Sequence, residues 1–183
     1  MAARDLVKQI LTFSRQSQMD PKPVEPRLII KEALKLLRAS LPTTVTMNVM
    51  IEPAGMVMAD PTQIHQLVMN LCTNARDALE NIDGTLTVIL GPVGMGEGKA
   101  ARYPQLTSGP YYKFTVCDTG QGIPEKEQQR IFEEFYQIDN PARERGRGMG
   151  MGLAIVRRLA ALLDHPLHLQ SVPGEGSTFA IEV

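Results

Sequence analysis

Gln66-Leu67-Val68-Met69-Asn70-Leu71-Cys72-Thr73-Asn74-Ala75-Arg76-Asp77-Ala78-Leu79 is the stretch around which the rest of the chain organises. Leu67, Leu71, Ala75 and Leu79 recur every four residues and make one apolar, core-facing stripe of a helix. Asn70 and Asn74 are also four apart, so their amides stack one turn above the other on a neighbouring face. Asn costs a helix interior about half a kcal/mol against Ala, so two aligned amides suggest a shared ligand. Two solvated or capping amides are the plain alternative. Amide oxygens are hard donors suited to Mg²⁺. Ala59-Asp60-Pro61 starts this helix, with Asp60 as cap and Pro61 at the first helical position, and it runs to about Asn81.

Upstream, Thr44 to Ile51 alternates, with Val45, Met47, Val49 and Ile51 pointing one way as in a half-buried strand. Pro26 to Ser40 reads as a helix whose apolar face is Leu28, Ile29, Ala33, Leu36 and Leu37. Before it, Asp20-Pro21-Lys22-Pro23 is a linker that stops an amphipathic helix over 2–18, striped by Leu6, Ile10 and Phe13. That opening mid-pattern suggests the tail of a helical module, which divides the chain into 1–20 and 21–183.

Downstream, Asp83-Gly84 turns into a strand over 85–90, and 91–110 reads as a connecting loop before a strand over 111–117. A short helix falls near 125–132, a third substantial helix spans 152–163, and strands at 168–172 and 178–183 close the chain around Pro173-Gly174-Glu175-Gly176. Helices alternating with strands and a closing hairpin predict an α+β fold. The expected form is a two-layer α/β sandwich, a mixed β-sheet with helices packed on one face.

At 183 residues and 43% apolar, the chain has the size and core of one globular domain. Its 19 basic against 20 acidic residues leave a net charge of −1, which argues against a nucleic-acid partner. No apolar run is long enough to span a bilayer. Cys72 and Cys117 lie in apolar stretches without metal-ligand spacing and read as buried free thiols.

Two further segments carry chemistry. Asp118-Thr119-Gly120-Gln121-Gly122 follows a buried strand, putting a carboxylate beside backbone that a flat ligand can approach, such as a purine with an exocyclic amine. An ordinary strand-to-loop turn is the alternative. Arg145-Gly146-Arg147-Gly148-Met149-Gly150-Met151-Gly152-Leu153 runs into a helix, and its glycines with the helix's positive end make a phosphate cradle. The spacing fits neither a Walker loop nor a dinucleotide fingerprint.

An Asn-rich helix, strand-Asp-x-Gly-x-Gly, Phe132-Glu133-Glu134-Phe135-Tyr136, GxGxGL and Gly174-Glu175-Gly176-Ser177-Thr178-Phe179 follow in that order. Over about 26–183 this resembles the ATP-binding catalytic domain of two-component sensor histidine kinases. These belong to the GHKL superfamily, with the Bergerat ATP-binding fold shared with DNA gyrase, Hsp90 chaperones and MutL. The leading segment Asp5 to Arg15 resembles the end of the second dimerisation helix of such kinases.

The resemblance implies ATP and Mg²⁺ as cofactors, with Asn74 as the Mg²⁺ ligand by way of ATP and Asn70 as its catalytic companion. It implies that Asp118 binds the adenine amine, with Gly120, Gly122 and Ile123 lining the base and Thr178 beside the pocket. It implies a lid over 137–150 hinged at Phe132 and Phe135, with Arg147, Gly148, Met149, Gly150, Met151, Gly152 and Leu153 at the phosphates. Asp77 joins the nucleotide site at a position where many histidine kinases carry Lys. The implied reaction is γ-phosphoryl transfer to a histidine of a dimerisation domain of the parent protein, a homodimer, for relay to a response-regulator receiver. The cytoplasm is the implied compartment, whether or not the parent is membrane-anchored. Hydrolysing relatives carry Glu in place of Asn70, and an amide cannot act as that general base, which favours transfer over hydrolysis. His65, His165 and His168 lie outside any acceptor context and read as surface or packing residues. An ATP hydrolase of the superfamily and a non-catalytic nucleotide-binding or docking module are the alternatives.

Overall fold

A computed structural model describes residues 20–80, 82–94, 110–138, 149–163 and 165–182. The helix expected over 2–18 lies outside them. In chain order the elements are β1 (Lys22–Val24), α1 (Pro26–Arg38), β2 (Val45–Ile51), β3 (Val57–Ala59), α2 (Pro61–Ala78), β4 (Gly84–Gly94) and β5 (Pro110–Asp118). Two 3₁₀ turns, Glu125–Glu127 and Arg130–Phe132, precede α3 (Gly152–Leu162), β6 (Leu167–Val172) and β7 (Gly176–Glu182).

The main sheet has five strands in the order β2-β4-β5-β7-β6, with β2 parallel to β4 and the other neighbours antiparallel. Alternation puts Leu86, Val88 and Leu90 of β4, Phe114 and Val116 of β5, and Phe179 and Ile181 of β7 into the core. The helices cover that face: Leu67, Leu71 and Ala75 of α2 and Val156, Leu159 and Ala160 of α3 fill the same core. The fold is therefore the mixed-sheet, one-faced α+β sandwich expected from the sequence. Asp60 caps α2 by accepting the Thr62 N–H at 2.8 Å, with Pro61 opening the helix. Leu71 is completely buried, so truncating it to Ala would cost about 2–5 kcal/mol.

Several expectations change. In α1 the buried residues are Pro26, Ile30, Ala33, Leu34 and Leu37, while Leu28 and Leu36 stay 57% and 58% exposed. The helix has more apolar residues than one stripe can bury, and the i, i+3, i+4, i+7 set wins the interface. The proline segment read as a linker instead pairs β1 with β3, an antiparallel two-stranded sheet. The segment read as a connecting loop is in part strand: the β4–β5 ladder continues through Gly91↔Lys113 to Gly94↔Pro110, and 95–109 lie outside the described residues. The short helix near 125–132 is the pair of 3₁₀ turns. Cys72 is buried, its thiol pushed up to about 12 by desolvation, and Cys117 is half-buried; both are free. Among the described residues no helix is long and apolar enough to cross a membrane.

Candidate functional site

Helix α2 carries the first part of the site. Its apolar stripe is held against the sheet, which turns Asn70 and Asn74 toward the start of α3. Both amide nitrogens are buried without a hydrogen-bond partner. An unpartnered buried donor costs about 1–3 kcal/mol, so this pair is a polar cradle whose cost a ligand can remove. Gly152 opens α3 directly above it: a Cβ there would stand 3.3 Å from Asn74 Nδ2 and 3.8 Å from Asn70 Oδ1. The α3 N-terminus has no side-chain cap and no acidic residue in its first turn, leaving its positive end available.

The second part is the end of β5. Asp118 is 7% exposed, and its Oδ1 accepts the Gly120 N–H at 2.9 Å. Burial pushes its carboxyl above the usual range, opposed by backbone hydrogen bonds from Gly120 and Ser177. The turn that follows is locked to the protein itself. Gln121 donates its N–H to Ala78 O, one turn beyond Asn74, and Gly174 donates to Gln121 O. Gly122 has φ of 66°, and a Cβ there would fall 2.0 Å from Val172 O. A Cβ on Gly120 would fall 2.6 Å from Ala78 O. These two glycines let the turn wedge between α2 and the β6–β7 turn. Ile123 continues the lock by donating its N–H to Ser171 Oγ at 2.8 Å.

The third part joins the expected lid's ends. Phe135, at φ of 61°, donates its N–H to Gly150 O at 3.0 Å. Phe132 stacks edge-on against Phe179 at 6.4 Å, with the Arg157 guanidinium 5.8 Å from its ring centre. Met151 is buried, and Met149 and Leu153 are half-buried. Arg147 and Gly148 lie outside the described residues.

Two expected residues, Asp77 and Thr178, already have partners of their own. Asp77 is exposed and its carboxylate is engaged by Arg76, whose Nε and Nη2 donate to Oδ1 at 3.0 and 2.7 Å. Arg76 is thereby occupied by its neighbour. Thr178 pairs with Cys117 across the β5–β7 ladder and donates its hydroxyl to Cys117 Sγ at 3.3 Å, on the sheet face away from Asp118. Ser177 is the residue opposite Asp118, 5% exposed, with its Oγ 3.0 Å from Ser171 Oγ. Strand alternation held the signal: Phe179 must face the core, so Ser177 two residues earlier shares that face and Thr178 cannot.

The donor set suits Mg²⁺ brought in on a polyphosphate. Among the described residues no three His, Cys, Asp or Glu side chains cluster to hold a metal unaided. The two stacked amides offer neutral oxygen ligands, and their nitrogens lack acceptors. A separate apolar cavity of about 40 Å³, lined by Pro26, Ile64, Leu67, Phe114 and Leu159, contains none of these site residues.

Residues 59–183 match the family model described as Histidine kinase-, DNA gyrase B-, and HSP90-like ATPase. The chain is 30% identical to sensor kinase CckA of Brucella abortus over 98% of its own length, and it spans about 18% of that relative. Full-length ShkA in complex with AMPPNP superposes with a TM-score of 0.75 at 24% identity, covering 98% of this chain and 35% of that one. Histidine kinase ThkA in complex with response regulator TrrA gives a TM-score of 0.71 at 19% identity, covering all of this chain and 47% of that one. At these identities the two structures establish the fold.

Proposed function

Because the chain belongs to the family of histidine kinase-, DNA gyrase B- and HSP90-like ATPases, we propose that it is the ATP-binding catalytic domain of a sensor histidine kinase. In this reading the γ-phosphoryl group of ATP passes to a histidine on a dimerisation domain of a homodimeric parent, then to a response-regulator aspartate. Residues 1–20 are assigned to the end of a dimerisation helix and its linker, and the cytoplasm to the compartment. The observation that carries the proposal is the pair of buried, unpartnered amides of Asn70 and Asn74 beneath Gly152.

Each residue has a task. Asp118 accepts the exocyclic amine of adenine, in a slot whose shape the Gly120–Ile123 turn fixes. Asn74 would hold Mg²⁺ brought in on the nucleotide, and Asn70 would support it one turn earlier. When bound, the metal supplies neutralisation of phosphate charge. The uncapped start of α3, with Gly152, Leu153 and the segment around Gly150, points backbone N–H groups at the phosphates. Asn70 cannot take a proton from water, so the site favours delivery to a positioned nucleophile over hydrolysis.

Titrating the chain with ATP, with and without Mg²⁺, while following phosphate release tests the proposal. Expected are Mg²⁺-strengthened binding at millimolar nucleotide or below and negligible turnover by the chain alone. No binding at millimolar ATP overturns it, and multiple-turnover phosphate release supports a hydrolase instead.

A further inference from the structure

A cluster of three side chains joins the two halves of the site without belonging to either. Glu127 closes the first 3₁₀ turn, and its side chain is 13% exposed. The Tyr136 hydroxyl donates to Glu127 Oε2. The Arg130 guanidinium lies 4.3 Å from the centre of the Tyr136 ring, with its Nη1 3.6 Å from the same carboxylate oxygen. A phenol, a carboxylate and a cation are thus bound to one another, with a charge-assisted hydrogen bond at the centre.

Each end of this tie is anchored in a different half. On the adenine side, the residue after Glu127 is fixed to the 119–123 turn and to β6: Gln128 Nε2 donates to Ile123 O and to Ser171 O, both at 3.1 Å. On the phosphate side, Tyr136 sits where the chain meets the entry to α3. A Cβ on Gly150 would fall 2.6 Å from Tyr136 O and 2.9 Å from Phe135 C. Phe135 is, glycines aside, the one described residue with positive φ, and in that conformation its N–H reaches Gly150 O. A bulky side chain keeps left-handed backbone only where its surroundings impose it. Beyond Gly150, Met151 is buried and its carbonyl accepts the Ile155 N–H at 3.0 Å, which leaves little slack before Gly152.

We propose that Tyr136 is a positioning residue for the backbone at 150–152, which its bond to Glu127 holds at a fixed distance from the adenine-side turn. This rests on the reading above, in which 150–152 meets the phosphates. Without the bond, the Phe135–Tyr136 backbone is free to leave the left-handed region, and Gly150 loses the contact that aims its neighbours. The adenine slot stays intact, because Gln128 holds the 119–123 turn without help from Tyr136. Loss of the phenol hydroxyl therefore acts on the phosphate chain of a nucleotide and spares its base.

Calorimetric titration of the chain with Mg·ATP and with adenosine, together with hydrogen exchange of the Phe135 amide, tests this. Tyr136→Phe keeps the ring and its stacking on Arg130 and removes the bond. Expected are about a fivefold loss of Mg·ATP affinity, adenosine affinity within about twofold of wild type, and faster exchange of the Phe135 amide. Glu127→Gln keeps an acceptor oxygen and should bind Mg·ATP within about twofold of wild type. Glu127→Ala should match Tyr136→Phe, and the double variant should lose no more than either alone. Equal losses for Mg·ATP and adenosine overturn the proposal, because the site as a whole has then moved. Unchanged Mg·ATP affinity in Tyr136→Phe, additive losses in the double variant, or an unchanged Phe135 amide also overturn it. A wild-type chain that binds no Mg·ATP overturns the reading of the site beneath it, whereas a wild-type chain that binds and is indifferent to Tyr136→Phe overturns this inference alone.

Discussion

The turn at 119–123 and the entry to α3 at 149–152 share a Gly-x-Gly spacing; Gly150, where a Cβ would fall 2.6 Å from Tyr136 O, makes room for backbone as Gly120 and Gly122 do, and Gly152 is used in the opposite way. In the first, the missing side chains make room for the protein's own backbone, Ala78 O on one side and Val172 O on the other. In the second, Gly152 looks onto the amides of Asn70 and Asn74, with no backbone group in the way. One glycine pair assembles the site and the other glycine leaves it open. A side chain added at Gly120 or Gly122 should therefore cost stability, and one added at Gly152 should cost ligand.

The largest expected effect is that of Gly122→Ala. Its backbone sits in the left-handed region, and the new Cβ has no space beside Val172 O. Together these should cost about 3 kcal/mol or more, a fall in melting midpoint of about 10 °C by thermal denaturation. An unchanged midpoint would break the contrast at its assembly end.

Asp118 tests the same half of the site from the ligand's side. Asp118→Asn keeps an oxygen for Gly120 N–H but loses the charged acceptor, so nucleotide affinity should fall about 10- to 100-fold by calorimetric titration. The fold should tolerate the change, because burial already disfavours the charge. The pH dependence follows from the raised pKa. The folded state holds the Asp118 proton more tightly than the unfolded state, so acidifying through the folded pKa adds stability and raising pH removes it. Nucleotide affinity should move the other way, falling as the carboxyl protonates. Melting and binding curves across pH, taken as wild type minus Asp118→Asn, should slope in opposite directions, stability falling and affinity rising with pH.

Much of this was legible in the residues. The stripe of α2, its Asp60-Pro61 start, the Asn70–Asn74 ladder and the strand-end Asp118 follow from periodicity and capping, which are local. What escaped reading depends on partners distant in the chain. The face of α1 was chosen by what packs against it, and Leu28 and Leu36 lost to Ile30 and Leu34. The β1–β3 pairing joins segments some 35 residues apart, with nothing in Lys22-Pro23-Val24 to announce a strand. The glycines of the 119–123 turn were legible as glycines, but the backbone they avoid comes from α2 and the β6–β7 turn.

At the open end of the contrast, Gly152→Ala should leave the melting midpoint unchanged or raised, since Ala favours a helix by up to about 1 kcal/mol. The added methyl would stand 3.3 Å from Asn74 Nδ2, crowding the cradle. About tenfold weaker Mg·ATP binding at unchanged stability is expected. Equal losses of stability and affinity would erase the distinction from Gly122.

The smallest effect separates neighbours. Ser177 faces the core side of β7 with Asp118, gives it a backbone hydrogen bond, and holds its Oγ 3.0 Å from Ser171 Oγ. Ser171 Oγ in turn accepts the Ile123 N–H, so Ser177 belongs to the chain of bonds that fixes the 119–123 turn. Losing one such bond is worth about 1 kcal/mol, and Ser177→Ala should weaken nucleotide binding about threefold to fivefold. Thr178 spends its hydroxyl on Cys117 Sγ across the opposite face. Thr178→Val preserves shape and β-propensity and should leave binding unchanged. If the two results came out reversed, the adenine slot would have to open on the uncovered side of the sheet, and the assembly role given to Gly120 and Gly122 would lose its ligand.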